Sequence, residues 1–488
     1  MIDIGSNSVR LVVYATLARN LVAIFNEKNL CGLGRQVQSS GLLAPDAVEE
    51  ALISLRRFRA LCRVMEVAHL DVIATAACRD AANGPDFIAR AREICGVDIE
   101  ILSGPREAAL SARGVASGFH NPDGIVGDLG GGSLELADIK ASRIGQGVTL
   151  RLGGLALQDL AQNSLKRADR IVREELADVP QLAALRDRRF YAVGGTWRAL
   201  ARLHITQSGY PLQVMHGYAI PAAEALEFVR RLRRQASATL LNNIKLVTEA
   251  RRPLLAYAAL VLEHIIRIGQ PETVMFSTFG VREGLLHEKL APDEQLKDAL
   301  ICAAGELSAQ LSRSACHAHE LTAWTDRLFE VAEIPETADE RRLRHVACLL
   351  SDIGWRVHPD HRGQQTFTMI ANGNFGAISH PGRIFVALCA FYRHAGLGEG
   401  KAPPPALRQL LPPELIERAR LLAAAFRLAH LISASHPGVL PTTDMRCDAR
   451  KLTLVLEPRL GEIATDRLAG RLKTLARLIG RSSATSLS

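Results

Sequence analysis

The sequence predicts an α/β fold for about the first 290 residues and a mainly helical fold after them. Strand-like and helix-like segments alternate up to that point, and helical patterns dominate from about residue 295. Alternation of this kind favours α/β domains. A chain of 488 residues is also too long for one core, and about 150 residues per domain gives roughly three domains. We therefore expect α/β domains over residues 1–120 and 121–295, and a helical region with a small terminal α/β segment over 296–488.

The first predicted domain begins with a hairpin of aliphatic and β-branched residues. Its predicted elements are strands at 9–15 and 21–26, a helix beginning at 44–46, a strand at 70–74, a helix at 86–94, a strand at 97–102 and a helix from 105 to about 115. The first helix is amphipathic, with Val48, Leu52 and Leu55 at helical spacing.

The second predicted domain repeats the plan of a strand, a glycine-rich turn and a second strand. Its predicted elements are strands at 124–129, 134–139 and 190–193, a helix at 251–269, a strand at 273–276 and a helix that carries Arg282 and Glu283. Helical patterns then continue to residue 393, followed by a strand at 451–456 and a helix at 463–479. The serine-rich tail, 481–488, is expected to fray.

Composition argues against several classes of protein. No apolar run reaches the roughly 18 residues that a membrane span needs, and Asp3 lies where a signal peptide has a basic flank, so we expect a cytoplasmic protein without membrane insertion. Nine scattered cysteines without a CxxC pair disfavour disulfides and cysteine-ligated zinc.

The net charge is +8, with an excess of five positive charges in residues 301–488. That excess suits a polyanionic partner, although a solvated basic surface explains it equally well.

Three glycine-containing turns could bind phosphate. They are DIGSNSVR at residues 3–10, DLGGGSLE at 128–135 and GGT at 194–196. Such turns can present converging N–H groups without a Cβ in the way, and neighbouring carboxylates can hold Mg²⁺ or another divalent cation. Each turn alone could be no more than a turn, but three in two successive α/β segments favour a phosphate site. The candidate phosphate ligands in these turns are Ser6, Asn7, Gly131, Gly132, Ser133, Gly195 and Thr196, and the candidate metal ligands are Asp128, Glu135 and Asp3.

The order and spacing of these motifs resemble the exopolyphosphatase/guanosine pentaphosphate phosphohydrolase family, in the actin-like, sugar-kinase-like ATPase superfamily. The resemblance rests on residues 3–11, 74–83, 103–108, 128–136, 194–200 and 276–286. It implies two actin-like (ribonuclease H-like) domains and a helical region similar to metal-dependent HD-type phosphohydrolases. It also implies a homodimer.

The resemblance implies roles for two further residues. Glu107 corresponds to the family's catalytic base, although an acid in the first turn of a helix can also be merely structural. Arg79 corresponds to a phosphate-contacting arginine, whose planar fork suits two oxygens. Glu283 either lines the same cleft or pairs locally with Arg282. Arg106 departs from the family pattern, because many relatives have an acid there.

The HD-like region departs from an active HD site. His317 lies where the first histidine is expected, but the characteristic His-Asp pair is replaced by Ser351-Asp352. Loss of a ligand usually abolishes tight metal binding, so we expect a degenerate site that packs or guides substrate.

The residues and the resemblance together predict an exopolyphosphatase that removes terminal phosphate from inorganic polyphosphate, with Glu107 activating water and Mg²⁺ assisting. Two alternatives remain at this point. A guanosine pentaphosphate 5′-phosphohydrolase would use the same site with a different pocket beyond it. A non-catalytic actin-like nucleotide-binding module would need neither Glu107 nor Arg79.

Overall fold

A computed structural model describes residues 1–234, 249–398 and 405–487. The chain divides into two compact units. The N-terminal unit comprises Met1–Tyr210 and Val214–Lys297, and the C-terminal unit comprises Pro211–Gln213 and Asp298–Ser488. The predicted division of the first unit near residue 120 stays a prediction.

The N-terminal unit begins with a five-stranded sheet in the order β3-β2-β1-β4-β5. Its strands are β1 (Ile2–Ile4), β2 (Val9–Tyr14), β3 (Ala23–Asn29), β4 (Val72–Ala74) and β5 (Ile99–Ile101). The predicted hairpin is confirmed, since β2 and β3 pair antiparallel. β1 is only three residues long, yet it lies at the centre of the sheet, pairing antiparallel with β2 and parallel with β4. Ile2 and Ile4 are fully buried on its inner face.

A second sheet has six strands in the order β10-β11-β9-β6-β7-β8. Its strands are β6 (Asp123–Leu129), β7 (Leu134–Lys140), β8 (Arg143–Leu150), β9 (Arg189–Val193), β10 (Tyr218–Pro221) and β11 (Thr273–Phe276). Strands β6 and β7 form the hairpin that the second glycine motif predicts. The sequence analysis missed β8 and β10, because each is an outer strand without a strong apolar alternation.

Thirteen helices are described in the N-terminal unit. They are α1 (Val37–Ser40), α2 (Pro45–Val64), α3 (Ala76–Asp80), α4 (Gly84–Cys95), α5 (Gly104–Gly118), α6 (Gly154–Leu160), α7 (Leu165–Leu176), α8 (Pro180–Ala183), α9 (Gly195–Gln207), α10 (Ala222–Arg234), α11 (Arg252–Gly269), α12 (Val281–Glu288) and α13 (Pro292–Leu296). Helix α11 is buried along almost its whole length and belongs to the largest apolar cluster of the second sheet. A helix that is apolar on every face forms a core rather than a surface layer.

Glycines allow helix α12 to pack directly on helix α5. A Cβ at Gly284 would lie 1.8 Å from the Leu110 carbonyl oxygen, and a Cβ at Gly114 would lie 2.1 Å from the Gly280 carbonyl oxygen. No side chain fits at either point, so the backbones meet. This contact brings α12 close to the middle of α5.

The C-terminal unit is mainly helical, with a small three-stranded sheet in the order β12-β13-β14. Its helices are α14 (Ala299–Leu311), α15 (Ala315–Val331), α16 (Ala338–Leu350), α17 (Arg362–Asn372), α18 (His380–Ala395), α19 (Pro405–Arg408), α20 (Pro413–Ser433) and α21 (Asp466–Leu478). Its strands are β12 (Thr443–Cys447), β13 (Lys451–Leu456) and β14 (Ser482–Leu487).

The prediction of a frayed tail is wrong. Ser482–Leu487 pairs in parallel with β13, residue for residue, from Lys451 opposite Ser482 to Leu456 opposite Leu487. The tail's composition gave no sign of this strand, because its order comes from main-chain pairing with a buried partner rather than from apolar alternation.

No described helix combines the length and apolarity needed to cross a membrane. All nine cysteines are free thiols, and six of them are buried.

Candidate active site

A cleft of about 160 Å³ lies within the N-terminal unit, where the turns of the two sheets meet. Both predicted hairpin turns and the turn before α9 contribute to its wall. The predicted site residues in the wall are Asp3, Ser6, Asn7, Glu107, Asp128, Gly131, Gly195 and Thr196. Arg79, Gly132, Ser133 and Glu135 are not wall residues.

The two hairpin turns have the same construction. The Gly5 N–H donates to the Ser8 carbonyl at 3.0 Å, and the Gly130 N–H donates to the Ser133 carbonyl at 3.0 Å. In each hairpin an acid lies opposite a second charged residue, Asp3 opposite Arg10 and Asp128 opposite Glu135. Residues directly opposite in an antiparallel pair share a face of the sheet, so the register brings each pair of side chains together.

Hydrogen bonds hold the carbonyls of both turns on the side away from the cleft. The Gly34 N–H donates to the Ser6 carbonyl at 2.7 Å. The first N–H groups of α6 donate to the carbonyls of Gly130 and Gly131, at 2.9–3.1 Å. A trans peptide points its N–H opposite to its carbonyl, so the N–H groups of Asn7, Gly131 and Gly132 face the other way. Within the described residues these three N–H groups have no hydrogen-bond acceptor, as a phosphate-binding turn requires.

The two turns also touch each other through their glycines. A Cβ at Gly131 would lie 3.0 Å from the Ser6 Cβ, and one at Gly132 would lie 2.9 Å from the Ser6 Oγ. The Ser6 Oγ itself accepts a hydrogen bond from the Ala77 N–H at 3.2 Å. Ser6 therefore joins the first turn to α3, and its role as a phosphate ligand stays a prediction.

The third turn ends at the N-terminus of helix α9. Gly194 has φ 110°, a left-handed conformation that only glycine adopts readily, and a Cβ there would lie 2.3 Å from the Leu129 carbonyl oxygen. Gly195 and Thr196 then form the first turn of the helix and line the cleft. The first N–H groups of a helix together with its dipole favour an anion at this end.

Glu107 lies in the first turn of α5, where the sequence places it. Ser103 caps the helix by accepting a hydrogen bond from the Arg106 N–H at 3.4 Å, and Pro105 follows the cap. Glu107 is 8% exposed, and its Oε2 has no hydrogen-bond partner among the described residues. The Arg79 Nη1 lies 3.6 Å from that oxygen, close enough for attraction but too far for a hydrogen bond.

Arg79 is held in place beside Glu107 by other contacts. Its Nη1 donates to the Leu102 carbonyl at 2.9 Å, and its Nε donates to Asp80 at 2.9 Å.

Arg106, which departs from the family pattern, forms a bidentate pair with Glu288 at 2.8 and 2.5 Å. Arg106 thus links α5 to α12 rather than facing the cleft.

Four carboxylates repel one another around the cleft. Burial, followed by the charge of Asp128, raises the pKa of Glu107 to about 8. Burial, followed by the charge of Glu107, raises the pKa of Glu135 well above its usual range. Burial also raises the pKa of Asp3 and of Asp128, although Ser111 donates to Asp128 at 2.7 Å. Raised pKa values with specific charged neighbours are typical of functional sites.

The carboxylates fit a divalent cation. Both oxygens of Glu135 and one of Glu107 are buried without a hydrogen-bond partner among the described residues. The described chain nevertheless contains no group of three or more histidine, cysteine, aspartate or glutamate side chains that could hold a metal by itself. Mg²⁺ commonly takes only one or two protein carboxylates and completes its shell with water and substrate phosphate. The donor set therefore suits Mg²⁺ bound together with a phosphate.

The concentration of basic residues in the cleft wall was not predicted. The wall contains five basic residues, Arg10, Lys28, Arg198, Arg251 and Arg282. Arg10, Lys28, Arg198 and Arg251 have no carboxylate within 4.0 Å in the described part of the chain. Burial, followed by the charge of Arg282, lowers the pKa of Arg198 to about 10. Fifty arginines hide these few in the sequence, and only the turn that begins with Gly194 could have pointed to Arg198.

Glu283 does what both sequence interpretations suggested. It lines the cleft, accepts a hydrogen bond from the Gly280 N–H at 2.9 Å and lies 3.7 Å from Arg282. Tyr14 also donates to it, at 3.3 Å.

The cleft therefore combines a buried carboxylate, unpaired N–H groups and unpaired cations around one space. Such a site can bind a chain of phosphates and present a water to one of them, which are the requirements for hydrolysis of a phosphoanhydride.

Comparison with known proteins gives the family. The Ppx/GppA phosphatase family matches residues 12–292, and the family described as "Exopolyphosphatase, C-terminal" matches residues 300–485. The chain belongs to the Ppx/GppA phosphatase family and is a phosphoanhydride hydrolase. The alternative of a non-catalytic nucleotide-binding module is therefore wrong.

Known proteins are similar to this chain in sequence and in fold. Exopolyphosphatase 2 of Mycobacterium tuberculosis is 28% identical over 250 residues, which are 47% of this chain and 78% of that protein. The crystal structure of an exopolyphosphatase from Cytophaga hutchinsonii is similar in fold, with 24% sequence identity and a TM-score of 0.53. The matched region is 59% of this chain and 95% of that protein's chain. The crystal structure of an exopolyphosphatase-like protein matches over 58% of this chain and 95% of that protein's chain, with 22% sequence identity and a TM-score of 0.52. The predicted fold class, with actin-like α/β domains and a helical C-terminal region, is confirmed.

Proposed function

We propose that this phosphatase is an exopolyphosphatase that removes the terminal phosphate of inorganic polyphosphate. One observation carries the choice of substrate: cations and unpaired N–H groups line the cleft, and none of its described wall residues is aromatic. A phosphate chain needs only such groups, whereas a guanine base is usually held by stacking on an aromatic ring. The name of the Mycobacterium tuberculosis relative agrees with this choice.

Glu107 would act as the general base. Its unpartnered Oε2 can accept a proton from water, and Arg79, 3.6 Å away, favours the charged form that does so. The turns that contain Asn7 and Gly131 would hold the oxygens of the terminal phosphate. The cations of the cleft wall would hold the following phosphates and stabilise the charge that develops on the leaving group.

A divalent cation, Mg²⁺ or a similar ion, would be held by Asp128, with Asp3 or Glu135 nearby. When bound it supplies positive charge that reduces repulsion between the carboxylates and the substrate. A homodimer and a cytoplasmic location stay predictions.

The second candidate is a guanosine pentaphosphate 5′-phosphohydrolase. It would use the same carboxylates and turns and differ in the pocket beyond them, so the preferred substrate distinguishes the two functions. The measurement is phosphate release from long-chain polyphosphate, tripolyphosphate and guanosine pentaphosphate, each with Mg²⁺ and with EDTA. We expect Mg²⁺-dependent release that is fastest from polyphosphate. Faster release from guanosine pentaphosphate than from polyphosphate would reverse the assignment, and equal rates with EDTA would contradict the role of the cation.

A further inference from the structure

A second cavity, of about 240 Å³, lies within the C-terminal unit and is rich in arginine. Six of its nine wall residues are arginines: Arg313, Arg362, Arg393, Arg427, Arg467 and Arg471. The other three are His394, His430 and Leu431, so no acid lines it. We call this cavity the arginine pocket.

The arginine pocket lies beside the degenerate HD pair. The carboxylate of Asp352, which is 3% exposed, accepts hydrogen bonds from Arg313 at 2.7 and 2.8 Å and from Arg393 at 2.6 Å. Ser351, in place of the missing histidine, lies 3.4 Å from the His430 Nε2. Two guanidinium groups thus occupy the aspartate that an HD enzyme would offer to a metal, and their charge opposes a cation at this place.

The remaining positive charge has no counterpart. Among the described residues, none of Arg362, Arg427, Arg467 and Arg471 lies within 4.0 Å of a carboxylate. Asp352 alone therefore opposes six guanidinium groups. Like charges gathered in one concave space are unfavourable unless an anion joins them.

Buried donors also lack acceptors. Arg393 is 8% exposed, and its Nε has no hydrogen-bond partner among the described residues. The Nε of Arg427 is also buried without a hydrogen-bond partner among the described residues, although its Nη1 donates to the Arg393 carbonyl at 2.6 Å. Buried guanidinium N–H groups are normally paired, and an anion in the arginine pocket would give these two an acceptor.

We propose that the arginine pocket binds a phosphoanhydride chain, without a metal ion. Guanidinium forks match phosphate oxygens, and a chain with a charge on every phosphate can meet several arginines at once. The wall has no phenylalanine, tyrosine or tryptophan on which a nucleobase would stack. The class of ligand, a multivalent phosphate anion, follows from the pocket alone. The choice of an inorganic chain rests on the proposed function.

The test is calorimetric titration of the full-length protein with tripolyphosphate in EDTA. Glu107→Gln is present in every sample to prevent hydrolysis during the titration. The test variant adds Arg467→Gln and Arg471→Gln, both on α21. The control adds Lys473→Gln and Arg477→Gln, which remove the same charge from the same helix outside the pocket wall. Thermal unfolding of each variant checks that the fold is kept.

We expect a binding event that weakens about 100-fold in the test variant, since each charge-assisted contact contributes roughly tenfold, and is unchanged in the control. Equal weakening in both variants would show a general surface effect and overturn the proposal. The proposal would also be overturned if the test variant bound tripolyphosphate as the parent protein does. It would be overturned as well if binding were seen only with Mn²⁺ in place of EDTA.

Two further titrants identify the ligand. ATP should bind the arginine pocket no more tightly than tripolyphosphate, because both have three phosphates. ATP binding more than tenfold tighter would make this a nucleotide site and overturn the proposal, as would preference for a single-stranded oligonucleotide. Phosphate release by the wild-type enzyme is measured separately. Failure to hydrolyse polyphosphate would therefore remove the proposed function without affecting the result at the arginine pocket.

Discussion

At the scale of single residues, the active cleft depends on groups that the fold leaves without partners. The Oε2 of Glu107 accepts no hydrogen bond within the described chain, and the turn N–H groups of Asn7 and Gly131 find no acceptor there. Buried polar groups are normally satisfied, so these exceptions agree with the proposal that substrate and water supply the missing contacts.

Glu107→Gln should keep the fold and the affinity for substrate but lose turnover. The amide has nearly the shape of the carboxylate but cannot accept the proton, and general-base catalysis contributes about 10²- to 10⁴-fold. Turnover of polyphosphate measures the loss, and a binding titration checks the affinity. Glu93→Gln, on the exposed face of α4, is the matched control and should be fully active. Full activity of the Glu107 variant would remove this residue from the mechanism.

The pH dependence of kcat/KM should rise toward a pKa near 8. A general base acts only when it is deprotonated, and burial with the charge of Asp128 raises the pKa of Glu107 to about 8. Because the charge of Arg79 lowers that pKa, Arg79→Gln should move the rise to higher pH. Initial rates at low substrate concentration give the profile. A rise that stays in place or moves to lower pH would contradict the assigned charge interaction.

At the scale of secondary-structure elements, the crossing of α5 and α12 positions both walls of the cleft. Glu107 lies on α5, and Arg282 and Glu283 lie on α12. The backbones meet at Gly114 and Gly284, which fixes the separation of the two helices. A packed core transmits small displacements, so the spacing at the glycines determines the geometry at the carboxylates.

Gly284→Ala should destabilise the protein by about 1–3 kcal/mol and reduce turnover, as overpacking does in other cores. The new Cβ would lie 1.8 Å from the Leu110 carbonyl oxygen, so α12 must move. Gly305→Ala is the control, because nothing beyond the backbone of its own helix lies within 4 Å of its Cβ position in the interior of α14. There alanine should stabilise by about 0.5–1 kcal/mol. Urea denaturation measures both variants, and an unchanged midpoint for Gly284→Ala would show that the crossing can relax.

At the scale of the whole molecule, the two proposed phosphate sites lie in separate units. The cleft belongs to the N-terminal unit and the arginine pocket to the C-terminal unit. The first combines cations with carboxylates, as hydrolysis requires. The second has guanidinium groups but no carboxylate in its wall, which suits binding without catalysis.

Truncation after Lys297 should leave hydrolysis of tripolyphosphate but reduce hydrolysis of long chains more strongly. Every wall residue of the cleft lies before residue 284, whereas the arginine pocket is removed. Phosphate release from the two substrates, compared with that of the full chain, measures the difference. Equal losses on both substrates would favour a purely structural role for the C-terminal unit.

Acid should destabilise the C-terminal unit between about pH 6.5 and pH 4. Burial lowers the pKa of His317 to about 4 and that of His394 to about 3. In this range the unfolded chain binds more protons than the folded one, so stability falls as the pH falls, by about 2–3 kcal/mol for His317. Urea denaturation at several pH values measures the slope. His317→Gln should flatten it, whereas the exposed His319→Gln should not, and equal slopes would contradict the prediction.

The sequence by itself determined the α/β class, the hairpin turns and the position of Glu107 at a helix start, because each is written in neighbouring residues. Only the tertiary structure decided which of fifty arginines gather at each phosphate site, because Arg10, Arg198 and Arg251 come from distant elements that the fold brings together. Two pairings could not be predicted from the sequence for the same reason: that of Asp352 with Arg313 and Arg393, and that of the tail with β13. Local periodicity and turn chemistry encode local conformation, whereas convergence of distant side chains depends on how the elements pack.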